Sequence, residues 1–439
     1  MTSKYFHSFF MQLAGAFLFT SLSASTELVD SELKNSPITE AACQGIQNEL
    51  NETLDSMDLE TLLRQRRNRC EQLVFKANLS QCRIGLNDRS LLGVTADFVT
   101  SFNGNDFSCS VLPVEGPLGL SGIQITPANG LFYTLTIPPI GTPGPVPDGS
   151  PFDHIKFLAY SYLIDAPTDG SELCSEWVGS GLQTNVENNP FGLAVTNPNE
   201  DCRLSTIGFV SLAPDVLTTF DWMVTNDVIY ALVERLPGAE STFGLYAAYT
   251  YTIPVGKRHG KDRLNDLHRF QTCYNRLAGT VTWKLDGRPV FQITQIGHRL
   301  TEENAFLYTR SGRKIPLTNP DRFKILDHGG FDQSLSPVAI QSGLALFTLL
   351  DAYRPNNVLD LLSQGLVRLG SNEYRAGLTP FYSNPQAIGL PATFTIDAPL
   401  DVATSQYLPT IPSQYRLWGQ GGILRLFDYR ITINHCPRD

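Results

Sequence analysis

The sequence predicts an all-β protein, a jelly-roll β-sandwich with a small helical region at its N-terminal end. Three observations lead to this class. An Asp286-Gly287 turn lies between two runs in which apolar and polar residues alternate, and short β-like runs recur from about residue 92 to the end. The composition is also rich in turn-forming residues and poor in charged ones. The 439 residues include 35 Gly and 28 Pro but only 17% charged residues, which is typical of all-β domains.

The strongest local pattern is a pair of hairpins within residues 266–298. Asp286-Gly287 has the residue types that a two-residue hairpin turn needs, because both central positions take φ above zero. On either side, apolar and polar residues alternate, as Trp283 does between Thr282 and Lys284. The pattern predicts three antiparallel strands, 270–274, 280–285 and 290–293.

Further strands are predicted wherever a short β-branched or aromatic run is bounded by Gly, Pro or Asn. A proline-rich stretch, 138–147, cannot donate to a sheet ladder and is expected to form a surface loop. Such spacing indicates a sandwich or jelly roll. The predicted strands are 131–135, 154–160, 191–195, 221–224, 228–234, 245–253, 343–350, 365–369, 393–396 and 422–433.

Residues 26 to about 90 have a helical pattern instead. Ser36-Pro37 is a helix start, and apolar residues such as Ile46 and Leu50 recur at helical spacing. The basic run 64–69 is interpreted as a solvated helix face rather than a site for an anionic partner. The sequence therefore divides into a signal peptide (1–25), a helical, cysteine-containing region (26–90) and a β-sandwich domain (91–439).

The first residues resemble a secretion signal. Lys4 and His7 precede an apolar run over 9–19, and small residues follow at 21–25, where a signal peptidase cuts. The run is shorter than the ~20 residues of a membrane span. We therefore expect a secreted, extracellular protein with no membrane span after signal removal.

The eight cysteines agree with export, since none forms a C-x-x-C pair of the zinc or redox kind. We expect disulfides in an oxidising compartment, with Cys174 paired to Cys202 and the first four cysteines paired among themselves. Asn51 and Asn78 begin glycosylation sequons, which predicts a glycoprotein. The first four cysteines are Cys43, Cys70, Cys82 and Cys109.

The formal net charge of −10 argues against a nucleic-acid partner, because such binding needs a basic face to displace counterions. The expected partner is a carbohydrate or another small polar molecule.

Two groups of sequence motifs resemble those of known families. The stretches 230–238, 242–249, 267–270 and 281–287 resemble, in that order, strand motifs of laminarinase-type glycoside hydrolases. Over about 105–434 the chain resembles an uncharacterised family of concanavalin A-like domain proteins, through 153–158, 327–330, 347–351 and 416–421. Both resemblances imply a concanavalin A-like jelly roll, and they imply a fold more than an activity.

The chain departs from the hydrolases where their chemistry lies. The resemblance implies a catalytic E-x-D-x-E strand between the second and third motifs, but the interval 253–266 is too short for it and has no such trio. Glu234 matches an outer-strand glutamate that is not catalytic in those enzymes. A retaining laminarinase mechanism, with two carboxylates about 5 Å apart, is therefore not expected.

Four residues are candidates for acid–base catalysis. Asp327 beside His328 would orient an imidazole, and two glycines follow that would let a ligand approach. His298 and Asp351 are candidates for the same surface. The alternative is structural: Asp327 would cap backbone N–H groups in a turn, and His298 would be a satisfied structural histidine.

Four other residues are candidates for ligand binding. Trp418 and Gln420 would combine a ring that stacks on a sugar with an amide that bonds its hydroxyls. His154 and Lys156 would meet a sugar or an anion, although an exposed strand edge is the favoured interpretation. Trp222, Trp283, Tyr230 and Tyr249 would add aromatic surface, although most are expected in the core. Calcium is left open as a cofactor, without a D-x-D-x-D-G loop to hold it.

The sequence therefore supports three hypotheses. The first is a binder of carbohydrate or another polar ligand on the concave face of the sandwich. The second is a secreted enzyme that uses His328 with Asp327 or Asp351 on the same face. The third is a structural extracellular protein that assembles through its N-terminal helices.

Overall fold

The structure is a computed structural model. It describes residues 70–80, 84–85, 98–102, 107–112, 122–127, 155–187, 195–236, 240–260, 262–327, 329–349, 368–369, 381–383, 393–395 and 421–435.

Most of these residues are in strands, and few are in helices. The helices among them are α1 (Glu240–Phe243) and a 3-10 turn (Pro320–Phe323). The strands are β1 (Glu71–Lys76), β2 (Ile84–Gly85), β3 (Phe98–Phe102), β4 (Phe107–Leu112), β5 (Gly122–Pro127), β6 (Ile155–Asp165), β7 (Glu172–Thr184), β8 (Thr206–Ala213), β9 (Thr218–Val224), β10 (Val228–Arg235), β11 (Tyr249–Lys257), β12 (His268–Asn275), β13 (Thr280–Leu285), β14 (Arg288–Ile293), β15 (Ala305–Tyr308), β16 (Lys314–Pro316), β17 (Lys324–Asp327), β18 (Ala339–Phe347), β19 (Arg368–Leu369), β20 (Phe381–Ser383), β21 (Thr393–Thr395) and β22 (Gly421–Asn434).

The described strands form two large sheets and one small one. The ten-stranded sheet has the order β16-β15-β14-β13-β12-β7-β22-β5-β4, with β1 also paired to β22. The nine-stranded sheet has the order β17-β11-β10-β9-β8-β18-β6-β3-β2. Pairing is antiparallel except between β2 and β3, and β19, β20 and β21 form a small separate sheet. The predicted jelly-roll β-sandwich is confirmed in these two stacked antiparallel layers.

The central hairpin is also confirmed. Cys273 of β12 pairs with Thr282 of β13, and Trp283 pairs with Phe291 of β14. The turn residues Asp286 and Gly287 have φ of 52° and 80°, as a mirror-image two-residue turn requires.

The main core lies between the two sheets and is built on aromatic side chains. Phe270 of the ten-stranded sheet contacts Trp222 (ring centroids 5.4 Å apart) and Phe209 (4.6 Å) of the nine-stranded sheet. Trp283 contacts Phe220 at 6.2 Å and donates its indole N–H to the carbonyl of Asp221. Each such fully buried ring contributes about 2 kcal/mol through burial alone. We call the face of the nine-stranded sheet in this core its inner face.

The opposite face of the nine-stranded sheet, which we call its outer face, has a second apolar cluster. Among the described residues, no member of this cluster comes from the ten-stranded sheet. Because side chains alternate along a strand, β9 places Phe220 and Trp222 inward and Asp221 and Met223 outward. The buried members of the cluster are Tyr160, Cys202, Val210, Leu212, Met223, Leu232, Ile325, Leu326, Ala345, Phe347 and Leu349.

Two predictions need correction, and the first is the extent of the helical region. It was predicted to reach about residue 90, but Glu71–Lys76 is a strand whose residues pair with 430–434 of β22. Residues 26–69 of that region lie outside the described residues.

The predicted Cys174–Cys202 disulfide is wrong. Cys174 is bonded to Cys273, its direct cross-strand partner, with a Cα–Cα distance of 4.1 Å, and Cys202 is a free, buried thiol. Cys70 and Cys109 are also disulfide-bonded. The prediction that the first four cysteines pair among themselves stays a prediction, because Cys43 and Cys82 lie outside the described residues.

Candidate functional site on the outer face

Two carboxyl groups lie side by side on the outer face. Asp221 is on β9 and Glu234 is on the adjacent strand β10, where their direct partners are Leu232 and Thr219. They are therefore diagonal neighbours on one surface, with their Cβ atoms separated by roughly 7 Å. The backbone of two hydrogen-bonded strands fixes their separation.

Asp221 is almost fully buried, with 4% of its surface exposed. Its Oδ1 accepts a hydrogen bond from the backbone N–H of Ser211 at 2.8 Å, at a position where the β8–β9 ladder is interrupted. Burial raises the pKa of Asp221 well above its usual value, against the effect of that hydrogen bond, and the nearby Glu234 raises it further. The carboxyl group is therefore held in a setting that favours its protonated form.

Glu234 is half-buried and is the more accessible of the two. The Thr250 hydroxyl of β11 donates to its Oε1 at 2.6 Å. Burial raises the pKa of Glu234 to about 7, although the Thr250 hydrogen bond favours the charged form. Near neutral pH the Glu234 carboxyl group is therefore partly protonated. Its protonated form can donate a hydrogen bond, whereas its ionised form can only accept one.

Tyr160 of β6 lies on the same face as the two carboxyl groups. Its direct partner on β18 is Gly343, where a Cβ would come within 2.0 Å of the Ala159 carbonyl oxygen, so this position has no room for a side chain. Burial raises the pKa of Tyr160, and the negative charges of Asp221 and Glu234 raise it further. The tyrosine therefore presents a neutral hydroxyl to the electrostatic field of both carboxyl groups.

The segment 195–204 borders this surface. Tyr230, half-buried on β10, donates its hydroxyl to the carbonyl of Glu200 at 2.6 Å. The Cys202 thiol donates to the Thr252 hydroxyl at 3.3 Å. Burial raises the pKa of Cys202 to about 12, so its thiol is not a nucleophile at neutral pH.

Two of the predicted catalytic residues, Asp327 and His298, are among the described residues. Both carboxylate oxygens of Asp327 are hydrogen-bonded: Arg299 donates at 2.9 and 3.0 Å, Lys324 at 3.1 Å and the N–H of Gly329 at 2.9 Å. Burial raises the pKa of Asp327, but these bonds outweigh burial and the net pKa is lowered. Asp327 thus resembles the predicted alternative, a carboxylate that caps backbone N–H. It also lies opposite Tyr249 on the inner face, away from Asp221 and Glu234.

His298 does not lie on the strand that leaves the hairpin, because β14 ends at Ile293. It is in the following turn, where its Nε2 lies 2.9 Å from the Ser334 hydroxyl.

Lys156 lies on β6, but its side chain is not described. The roles assigned to all the candidates stay predictions. Those outside the described residues are His328, Asp351, Trp418, Gln420 and His154.

The aromatic candidates divide as expected. Trp222 and Trp283 are 0% exposed and Tyr249 is 1% exposed, so all three fill the core, whereas Tyr230 lies on the outer face.

Among the described residues, the one grouping with metal-ligand spacing is Glu172 with Cys174 and Cys273. Both cysteines are in the disulfide, so the group lacks thiolates, and Glu172 alone offers one carboxylate where calcium takes about six to eight oxygen ligands.

Sequence reasoning missed the carboxyl pair. Asp221 is not among the predicted site residues, and Glu234 matches a position that is not catalytic in the hydrolases. A signal exists in the sequence, a single acid within each of the runs 220–223 and 232–234. An isolated carboxyl group in such a buried strand must have a partner or be neutral.

The sequence profile of DUF6081, described as a family of unknown function, matches residues 133–435. The chain is also similar to "Uncharacterized protein L829" of Acanthamoeba polyphaga mimivirus, with 23% identity over 335 residues that cover 64% of this chain and 70% of the relative.

Among solved structures, the endo-beta-1,3-glucanase from Pyrococcus furiosus is matched with a TM-score of 0.24 and 9% identity, over 63% of this chain and 94% of that one. Lectin II from Ulex europaeus is matched with a TM-score of 0.20 and 6% identity, over 77% and 98%. At these TM-scores the likenesses carry no argument about function. No helix in the described part of the chain is both long and apolar enough to span a membrane.

Proposed function

We propose that this chain, which belongs to the DUF6081 family of unknown function, binds a carbohydrate through the outer face of its nine-stranded sheet. One observation carries the proposal: Asp221 and Glu234 are diagonal neighbours whose shared apolar setting raises the pKa of both groups. Functional sites are where such perturbed pairs concentrate.

The raised pKa values favour a neutral, hydroxyl-rich ligand over a charged one. A cationic ligand would need ionised carboxylates, and burial works against ionisation here. An anionic ligand would be repelled whenever Glu234 loses its proton. Sugar hydroxyls both donate and accept, which matches a carboxyl group that is partly protonated near neutral pH.

Tyr230 supplies an apolar contact of the kind that a sugar also needs. Its ring is half-buried on the same face as the two carboxyl groups, whereas Met223 and Leu232 beside them are 0% exposed and only pack within the outer cluster. An aromatic ring suits the C–H face of a pyranose, while a carboxyl group suits its rim. Because Glu234 is more exposed than Asp221, a ligand would reach Glu234 first.

Acid–base chemistry on the same surface is a second candidate function. The observation that favours it is the pKa of Glu234, about 7, which is suited to a general acid at neutral pH. Glycosidases that work through two carboxyl groups hold one of them protonated in this way. Asp221 does not fit the ionised second carboxyl group of such enzymes, because its burial favours the protonated form.

We also propose that the protein acts outside the cell. Disulfides at Cys70, Cys109, Cys174 and Cys273 support an oxidising compartment. The predicted sequon residue Asn78 is exposed, so a glycan has access to it. Recovery of the full-length chain from the medium of secreting cells, with a glycosidase-sensitive mass at Asn78, is the expected result, and retention inside the cells contradicts it.

The test of binding is a screen of the purified protein against immobilised glycans, followed by calorimetry with Glu234→Gln and Asp221→Asn. Each variant loses a carboxyl group that can both donate hydrogen bonds to sugar hydroxyls and accept them, which is expected to weaken binding about tenfold or more. Glu303→Gln, which changes an exposed glutamate elsewhere, is the matched control. Unchanged affinity in both site variants would remove the proposal, and turnover of a bound glycan that stops in Glu234→Gln would favour the enzymatic alternative.

A further inference from the structure

Arg235 lies on the inner face of the nine-stranded sheet, at the end of β10, and is 0% exposed. Its direct partner on β11 is Tyr249, whose partner on β17 is Asp327. The three side chains therefore form a row across the sheet. Glu234, the neighbour of Arg235 in sequence, points to the opposite face, so this row is separate from the carboxyl pair.

The guanidinium of Arg235 has few polar contacts. Its Nη2 donates to Oε1 of Gln333 at 2.9 Å, and the group lies 4.3 Å from the ring centroid of Tyr246 and 5.7 Å from that of Phe243. Its Nε and Nη1 are buried and have no hydrogen-bond partner among the described residues. Within that part of the chain, Arg235 is thus a buried cation without a carboxylate.

The nearest carboxylates are already neutralised by other cations. Arg299 binds Asp327 at 2.9 Å and Asp332 at 2.9 Å, and Lys324 also binds Asp327 at 3.1 Å. Asp332 is close enough to influence Arg235 electrostatically but does not hydrogen-bond to it. An arginine cannot shed its charge as a buried lysine can, so this positive charge has to be compensated.

A second orphan group lies on the same face. The Tyr251 hydroxyl, two residues along β11 from Tyr249, is also buried without a partner among the described residues. The rings of Tyr249 and Tyr251 are 5.5 Å apart. Unsatisfied N–H and O–H groups here both offer donors, which is the polarity that an anion requires.

We propose that a small monovalent inorganic anion of the size of chloride binds inside the sandwich, against Nε and Nη1 of Arg235. The full burial of Arg235 limits the ligand to a small ion, and the guanidinium sets its sign. Such an ion balances the charge of Arg235 and supplies the acceptor that its free N–H groups lack. It acts as a structural ligand of the folded protein.

The test measures thermal unfolding of the full chain in sodium chloride against sodium gluconate at equal ionic strength. Above the dissociation constant, each tenfold rise in chloride is expected to raise Tm by about 2 °C. Arg235→Met is expected to abolish this dependence, whereas Arg313→Met, which changes an exposed arginine, keeps it. A wild-type Tm that is the same in both salts overturns the proposal.

A second measurement decides the matter if Arg235→Met does not fold. Crystals of the wild-type protein grown or soaked in bromide are expected to show an anomalous peak within hydrogen-bond distance of Nε or Nη1 of Arg235. A peak-free site filled by water alone would show that solvent satisfies the guanidinium, and would overturn the proposal.

Discussion

Arg299 holds Asp327 through two parallel hydrogen bonds, from Nη2 to Oδ1 at 2.9 Å and from Nε to Oδ2 at 3.0 Å. The paired carboxylate is 3% exposed and the arginine side chain 21% exposed. This bidentate pair joins the turn after β14 to the edge strand β17. Because β14 belongs to the ten-stranded sheet and β17 to the nine-stranded sheet, the pair links the two layers.

Replacing Arg299 with Met is therefore expected to destabilise the protein by about 3 kcal/mol, because a buried carboxylate loses its main partner. Urea denaturation followed by fluorescence measures the change. Lys257→Met is the control, since the Lys257–Glu200 pair is 4.0 Å apart and exposed, and such pairs contribute about 0.5 kcal/mol. Equal losses in the two variants would show that Arg299 does not anchor the turn.

The hairpin turn gives a second prediction. Gly287 has φ of 80°, and an added Cβ would meet no atom within 4 Å, so Gly287→Ala is expected to cost about 1 kcal/mol through backbone strain alone. Gly260→Ala, where the added Cβ meets ordinary contacts at 3.7 Å, is expected to change stability by less than about 0.5 kcal/mol. Denaturation midpoints of the two variants provide the comparison, and a neutral Gly287→Ala would contradict the turn geometry.

The Cys174–Cys273 disulfide gives a third. It closes a loop with a sequence separation of 99, so the double replacement Cys174→Ser with Cys273→Ser is expected to cost about 3 to 5 kcal/mol. Peptide mapping without reductant should recover a linked Cys174–Cys273 peptide and an alkylatable Cys202 after unfolding. A linked Cys174–Cys202 peptide would restore the pairing that the sequence suggested.

That disulfide shows which parts of the fold were open to prediction. The hairpin at Asp286-Gly287 was predicted closely because its turn type and alternation are local properties. The predicted partner of Cys174 was wrong. Cys202 is nearer to Cys174 in sequence, but the register between β7 and β12 places Cys273 opposite Cys174. Register between distant strands is a property of the whole sheet.

The central strands β7 and β8 were missed for a related reason. Gly179 and Gly181 interrupt the apolar pattern of β7, yet Cβ atoms there would come within 3.0 Å of Phe209 and 2.6 Å of Ile207. These glycines make room for large side chains of the opposite sheet. Their role depends on inter-sheet packing, which no local pattern reveals.

The carboxyl pair was missed because its members are single acids on separate strands. Asp221 and Glu234 become neighbours only when β9 and β10 pair in the observed register. The sequence contained the unusual feature, an acid among buried residues, but not the distance that makes it a site.

The pKa of Glu234 gives a fourth prediction, for stability against pH. Its folded value, about 7, exceeds the usual 4.5, so between these values the folded protein binds more protons than the unfolded chain. Its contribution is therefore complete below pH 4.5 and is lost as pH rises through 7. The loss amounts to at most about 3 kcal/mol. Asp221, also raised, acts in the same direction.

Urea denaturation at several pH values between about 5 and 8 measures this slope. Glu234→Gln is expected to flatten it, while Glu303→Gln keeps it. Asp327, whose pKa is lowered, loses its contribution only in more acidic solution and does not enter this range. The same slope in wild type and Glu234→Gln would place the titrating group elsewhere.

The most direct measurement is the pH titration of the Glu234 carboxyl carbon by NMR, in the free protein and with a glycan from the screen. We expect a midpoint near 7 in the free protein and a clear displacement of that midpoint when the glycan binds. A midpoint near 4.5 that the glycan leaves unmoved would show an ordinary surface glutamate, and would contradict the proposed site.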